Sequence, residues 1–177
     1  MTVYDELKIM ELMDSIEYGW IDKNGQKYNA IDDKLEENYI LQSPDETMKS
    51  EIGICTDQVE LERYYFNFTD LKTKTYCLMY INKNKYLMHS FLVFEKDNKY
   101  YWFEHSLSKF KGIHEYDSIN KLLLDVKDKF IKLVLEDNYV DKALMLHEYT
   151  KPNYHITIQE FYNHCDYGKF IDFTELN

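Results

Sequence analysis

The chain has 177 residues, about one domain at a prior of roughly 150 residues per domain, and its 45% hydrophobic and 30% charged content is ordinary globular usage, which argues against disorder or a fibrous repeat. Asp and Glu number 32 against 21 Lys and Arg, and this net charge of -11 disfavours a nucleic-acid or anionic-membrane surface, because both need a positive footprint. No run of about 18 apolar residues is present to span a bilayer. Residues 4–17 carry an apolar stripe of Leu7, Ile9, Leu12, Met13 and Ile16 that predicts an amphipathic helix. A polar stretch from Asp22 to Asn38 follows, with Asn24-Gly25 as a turn signal. Ser43-Pro44-Asp45-Glu46 combines a capping box with proline at the first helical position, so a short helix starts there and ends before Ile52-Gly53. A second helix is expected from about Cys55 to Phe66, with Val59, Leu61, Tyr65 and Phe66 inward and Glu60 and Glu62 facing solvent or an ion-pair partner.

From Thr73 the period changes. Residues 75–81, 86–95 and 100–105 are rich in β-branched and aromatic side chains, and the turn sequences 82–85 and 96–99 separate them, which predicts an antiparallel meander. Residues 117–136 space Ile119, Leu122, Leu123, Val126, Phe130, Ile131 and Val134 as a helix does. Leu144 to Tyr149 reads as another strand and Thr157 to Cys165 as a last short helix. The resulting class is α+β, arranged as one domain over residues 1–177.

Three cysteines, Cys55, Cys77 and Cys165, are too few and too irregular for a disulfide framework, and no C-x-x-C pair suggests zinc. The N-terminal residues lack a basic n-region and an apolar core, so the expectation is a cytoplasmic protein with free thiols. Cys55 is the distinguished thiol. It opens a predicted helix, where unsatisfied N–H groups and the positive end of the helix dipole favour a thiolate. Cys77 lies inside an apolar strand, and Cys165 ends a helix, where the dipole has the wrong sign.

A thiolate nucleophile needs a base, and His89 is the candidate. If the turn at 96–99 is tight and even, Phe91 faces Glu104, and His89, two residues from Phe91, shares its face. His89 and Glu104 then become diagonal neighbours about 7–8 Å apart at the backbone, within reach of long side chains. A carboxylate inside Tyr101-Trp102-Phe103-Glu104 needs a partner to offset its burial. Together the three residues have the form of a nucleophile, a base and an orienting carboxylate.

These residues resemble the transglutaminase-like superfamily. Ser43-Pro44-Asp45-Glu46 followed by Glu51-Ile52-Gly53-Ile54-Cys55-Thr56-Asp57-Gln58 is similar to the short helix and Gly-x-Cys that lead into the family's nucleophile helix. His89, the 96–99 turn, Trp102 and Glu104 are similar to its histidine strand, hairpin and acidic strand, so the match covers roughly residues 43–106. The resemblance implies a papain-like α+β fold with Cys55 as nucleophile, His89 as base and Glu104 as orienter. It departs from the family in carrying glutamate where aspartate is usual. Gln42, Trp20 and Gln58 each have the chemistry to complete an oxyanion hole beside the Cys55 N–H, and the sequence does not choose among them.

The implied function is cysteine-dependent chemistry on an amide: peptidase, deamidase or acyl transfer to an amine. The expected partner is a protein or peptide substrate, amine-bearing in the last case, with no nucleic acid or membrane, and no cofactor or metal is called for. His105, His114 and Glu115 lack the spacing of a ligand set. The alternative is a transglutaminase-like fold that has lost catalysis and serves as a protein or peptide interaction module. Arg63, the one arginine, reads either as a fork for a buried carboxylate or as an i, i+3 partner of Glu60 on a solvated face.

Overall fold

Local signals open most of the helices. In the computed structural model, which describes residues 4–29, 31, 34–82, 85–135 and 143–176, Asp5 caps α1 (Glu6–Met13) by accepting from the Lys8 N–H at 2.7 Å. This helix is shorter than its stripe predicts. Ile9, Met13 and Ile16 are buried, whereas Leu7 is 66% exposed, on the side of α1 turned away from its neighbours. Two-residue strands follow: β1 (Glu17–Tyr18), then β2 (Trp20–Ile21) and β3 (Lys27–Tyr28), which pair around the Asn24-Gly25 turn with Gly25 at φ 83°. After α2 (Leu35–Asn38), the capping box of Ser43 and Glu46 starts α3 (Pro44–Ser50), and Glu51 ends it in the left-handed conformation. β4 (Ile52–Gly53) leads directly into α4 (Cys55–Phe66), the helix whose limits the sequence predicts.

The meander is present as β5 (Lys72–Asn82), β6 (Lys85–Lys96) and β7 (Lys99–Glu104), with the tip at 83–84 outside the described residues. Asp97 and Asn98 both take positive φ, 52° and 60°, the two-residue turn that matches strand twist. Besides the short strands β1 to β4, two strands of the main sheet lie outside the sequence expectation. β8 (Gly112–Tyr116) adds to β7, and β10 (Lys169–Ile171) adds to β9 (Leu144–Tyr149), which pairs with β5. The order β10-β9-β5-β6-β7-β8 makes one six-stranded antiparallel sheet. α5 (Ile119–Phe130), capped by Ser118, is followed by a π-helical turn over 131–135; the predicted helix end at 136 lies outside the described residues. α6 (Ile158–Asp166) starts from a second capping box, Thr157 with Glu160.

Alternation along the strands divides the core. Tyr76, Leu78, Phe91, Val93 and Trp102 join Leu122, Val126 and Phe130 of α5 on one face. On the other, Leu92, Phe94 and Phe103 meet Leu61 and Phe66 of α4 and Ile9 and Met13 of α1, while Cys77 and Met79 meet Val59 of α4 and Ile158, Phe161 and Cys165 of α6. No helix among the described residues is long and apolar enough to cross a membrane.

Candidate active site

Cys55 is the first residue of α4 and is 4% exposed. The residue before it, Ile54, has no capping side chain, so the start of α4 is tied from within. Asp57, in the first turn, accepts from the Ile54 N–H (3.0 Å), the Gln42 N–H (2.9 Å) and the Tyr39 hydroxyl (2.9 Å). Burial pushes the Asp57 carboxyl up to about 7 against the pull of these three donors. Gly53 is required by the close packing, because a Cβ there would lie 2.7 Å from the Asp57 Cβ. β4 pairs in parallel with β1, so Tyr18 stands opposite Gly53, two residues ahead of Cys55.

His89 and Glu104 come from neighbouring strands. Leu92 pairs with Phe103 and Val93 with Trp102, the register that an even turn at 96–99 requires. The β6–β7 ladder ends there, and just past its end His89 Nε2 and Glu104 Oε2 meet at 2.8 Å, with both side chains 2% exposed. The second carboxylate oxygen, Oε1, accepts from the Leu107 N–H at 2.7 Å and the Ser106 hydroxyl at 3.0 Å. The imidazole stacks on Phe91 and Phe130, with ring centroids 5.8 and 6.3 Å away. Burial works against a charged imidazole, yet the Glu104 charge and hydrogen bonding with Cys55 and Glu104 outweigh it and raise His89 to about 10. Glu104 is also penalised by burial, and His89, Leu107 and Ser106 together hold it below the ordinary carboxyl value. At neutral pH the pair is therefore imidazolium and carboxylate.

The surrounding polar groups are mostly committed to structure. Gln42 donates to the Ile52 carbonyl (2.9 Å) and accepts from Ser50, while Gln58 donates to the Gly53 carbonyl (2.8 Å) and bonds His105 Nδ1 (2.7 Å). Both glutamines thus brace the two residues that lead to Cys55. Trp20 is fully buried and stacks on Tyr28 at 4.3 Å. His114, on β8, bonds the Phe110 carbonyl through Nε2.

Two side chains near the site were not singled out from the sequence. Tyr18 is 42% exposed, but burial of its hydroxyl, with Cys55 and Glu104 nearby, pushes the phenol up. Glu62 lies two turns beyond Cys55 on α4 and is 2% exposed rather than solvated, with Oε2 unpartnered among the described residues. Burial raises it well above 4.5, Glu104 adds to the rise, and His89 opposes it. Its i, i+7 spacing from Cys55 was the available signal. Glu60 is likewise buried rather than on a solvated face. Arg63 bonds it through Nε and Nη2 at 3.1 and 3.3 Å and gives a further bond to Thr75 Oγ1 at 2.6 Å. The reading as a fork for a buried carboxylate therefore holds, and of the other only the i, i+3 spacing does, because Glu60 is not on a solvated face.

No protein-family model matches the chain, and no match to a curated protein was found.

Proposed function

We propose that the protein is a cysteine-dependent enzyme of transglutaminase-like, papain-like character that acts on amide bonds through Cys55, His89 and Glu104. The observation that carries this reading is the buried His89–Glu104 pair, with Cys55 among the groups that favour the charged imidazole. With Nε2 bonded to Glu104, Nδ1 is the nitrogen left for the sulfur. The thiol proton already resides on His89, and the imidazolium stands as counter-charge to the thiolate. Sulfur attacks the amide carbonyl, and the tetrahedral intermediate collapses to a thioester as His89 returns the proton to the leaving amine. The acyl group then passes to water or to a second amine. Glu104, fixed by Leu107 and Ser106, holds the imidazole in one tautomer and orientation.

The near-complete burial of Cys55 favours a second reading, a non-catalytic interaction module with a passive thiol. Alkylation kinetics separate the two. Cys77 and Cys165 are fully buried, so native-state alkylation reports chiefly on Cys55. The enzyme reading expects rapid alkylation at pH 6 that slows in His89→Ala. Reaction no faster than a free thiol, with a midpoint near about 8.5, would leave only the interaction module.

A further inference from the structure

Two side chains of α4 clamp a single peptide ahead of Cys55. The Gly53 carbonyl accepts from Gln58 Nε2 at 2.8 Å and from the Gly19 N–H at 3.4 Å. The Ile54 N–H, on the other edge of the same planar unit, donates to Asp57 Oδ2 at 3.0 Å. On the far side the helix fixes the backbone, so the Ile54–Cys55 peptide is held between two rigid units, with Ile54 extended at φ -77° and ψ 178°. The Cys55 N–H belongs to that peptide. It is among the first N–H groups of α4, which have no partner within the helix, and the clamp sets its direction.

Gln58 is itself held by His105. Its Oε1 lies 2.7 Å from His105 Nδ1, with Gln58 1% and His105 8% exposed. This network assigns the protons. A carbonyl only accepts, so Gln58 turns its N–H₂ to Gly53 and its oxygen to His105, and Nδ1 must carry the hydrogen. Nε2 is then the bare nitrogen of a neutral ring. It is buried without a hydrogen-bond partner among the described residues, and Asp14 Oδ1, 3.9 Å away, is already paired with Lys111 Nζ at 2.5 Å. Burial, with Lys111, outweighs Asp14 and Glu104 and holds the ring below the ordinary histidine value.

His105 also has a particular place in the chain. It directly follows Glu104, and the same turn supplies the Ser106 hydroxyl and the Leu107 N–H that hold the far oxygen of Glu104. The stretch 104–107 therefore grips the imidazole side of the site through Glu104 and the nucleophile side through His105. The His105–Gln58 bond joins the two halves.

We propose that His105 is a positioning residue of the Cys55 site: through Gln58 it locks the Gly53–Ile54 peptide, and so aims the Cys55 N–H at the oxygen that becomes negative when sulfur attacks a carbonyl. The inference rests on the cysteine-enzyme reading. The role is indirect, because His105 acts on the direction of one donor.

Two reagents separate this role from a merely structural one. p-Nitrophenyl acetate acylates Cys55 through an oxyanion: the sulfur adds to the ester carbonyl, and the intermediate collapses to an acetyl thioester as p-nitrophenolate leaves with the bonding pair. Iodoacetamide alkylates the same sulfur by displacing iodide, and no oxyanion forms. Mass spectrometry places each label on Cys55. In His105→Gln the side-chain N–H₂ sits one atom too far out, near the position of Nε2, so acylation should fall about tenfold or more while alkylation holds. His105→Asn puts its N–H₂ where Nδ1 stood and should restore most of the acylation rate. A ratio of the two rates unchanged in His105→Gln, or a His105→Asn no better than His105→Gln, would overturn the positioning role.

NMR of the imidazole nitrogens tests the same relay in the native chain. At pH 7 His105 should be protonated on Nδ1 and bare on Nε2, and the reverse tautomer would overturn the relay. N-Acetylcysteine, a simple thiol, separates the two failures. A native Cys55 slower than it toward both reagents overturns the cysteine-enzyme reading and the inference with it. A Cys55 that outpaces it with iodoacetamide, yet shares its ratio between the two reagents, overturns the inference alone.

Discussion

His89 Nε2 and Glu104 Oε2 lie 2.8 Å apart with both side chains almost wholly removed from solvent. An ion pair in such a place stabilises little in itself, because desolvation of both groups offsets most of their attraction. Its structural consequence lies in the cost of breaking it, since either partner left alone is a buried charge or must give up its charge. Leu107 and Ser106 saturate the far oxygen of Glu104, so the carboxylate has no alternative rotamer that keeps its donors.

Glu104→Gln should therefore destabilise the protein by about 3 kcal/mol, at the low end of the range for a broken buried pair because the amide still fills the volume. The His89 titration, at about 10 with Glu104 in place, should fall, since burial is then opposed chiefly by Cys55. Denaturant unfolding and NMR titration of the imidazole check the two parts. A His89 pKa that stays high in Glu104→Gln would show that another anion holds the proton.

The same pair sets a pH window. His89 is raised from 6.5 to about 10, so its contribution is complete below about 6.5 and disappears as the pH rises through about 10. Glu104 is lowered from 4.5, so its contribution is complete above about 4.5 and is lost as the pH falls through its folded value. The stability difference between the native chain and Glu104→Gln should be largest between about pH 4.5 and 6.5 and should shrink on both sides. Urea midpoints from pH 3 to 10 measure it, and a difference independent of pH would contradict the ionised pair.

Much of this geometry was legible because local rules carry it. The capping boxes at Ser43 and Thr157 and the even turn at 96–99 are decided by residues a few positions apart, and the turn alone fixes which residues of β6 and β7 face each other. What was not legible depends on distant packing. β8 contains His114 and Glu115 and has no apolar alternation, and it becomes a strand because β7 offers it a free edge. Glu60 and Glu62 read as solvated by residue type, but α4 is enclosed by the sheet, α1 and α6, which leaves it no polar face in this region. The contact of Glu60 with Arg63 was foreseeable from i, i+3 spacing; the burial of Glu62 was not.

Asp57 should be the residue on which the Cys55 helix start depends. Asp57→Ala leaves the Gln42 and Ile54 N–H groups buried and unpaired, at about 1–3 kcal/mol each, so a loss of about 3–5 kcal/mol is expected. Asp57→Asn keeps one acceptor oxygen and should lose less, by an amount that depends on pH. Asp57 rises from 3.8 to about 7 on folding, so its ionisation penalises the native state increasingly between those values. The deficit of Asp57→Asn should accordingly shrink as the pH rises from 4 to 7. Thermal unfolding across that range checks it, and a deficit that grows would mean that the carboxylate is already ionised in the folded protein at pH 4.

Glu62 presents the opposite case, a side chain whose replacement should help. Its Oε2 has no hydrogen-bond partner among the described residues, and burial raises the carboxyl well above 4.5. In the unfolded chain it ionises near 4.5, so as the pH rises above that value folding must retain, at a growing cost, a proton that the unfolded state releases. Glu62→Gln removes that cost but adds an amide N–H₂ that needs acceptors, worth about 1–2 kcal/mol if it finds none. The net expectation is a variant whose stability relative to the native chain rises between pH 4 and pH 7. The gain should vanish by pH 4, where the carboxyl is protonated whether the chain is folded or not. Paired unfolding curves at the two pH values decide the matter. A Glu62→Gln that is less stable at pH 7 than at pH 4, relative to the native chain, would mean that Glu62 is ionised beside His89 and belongs to the charged network.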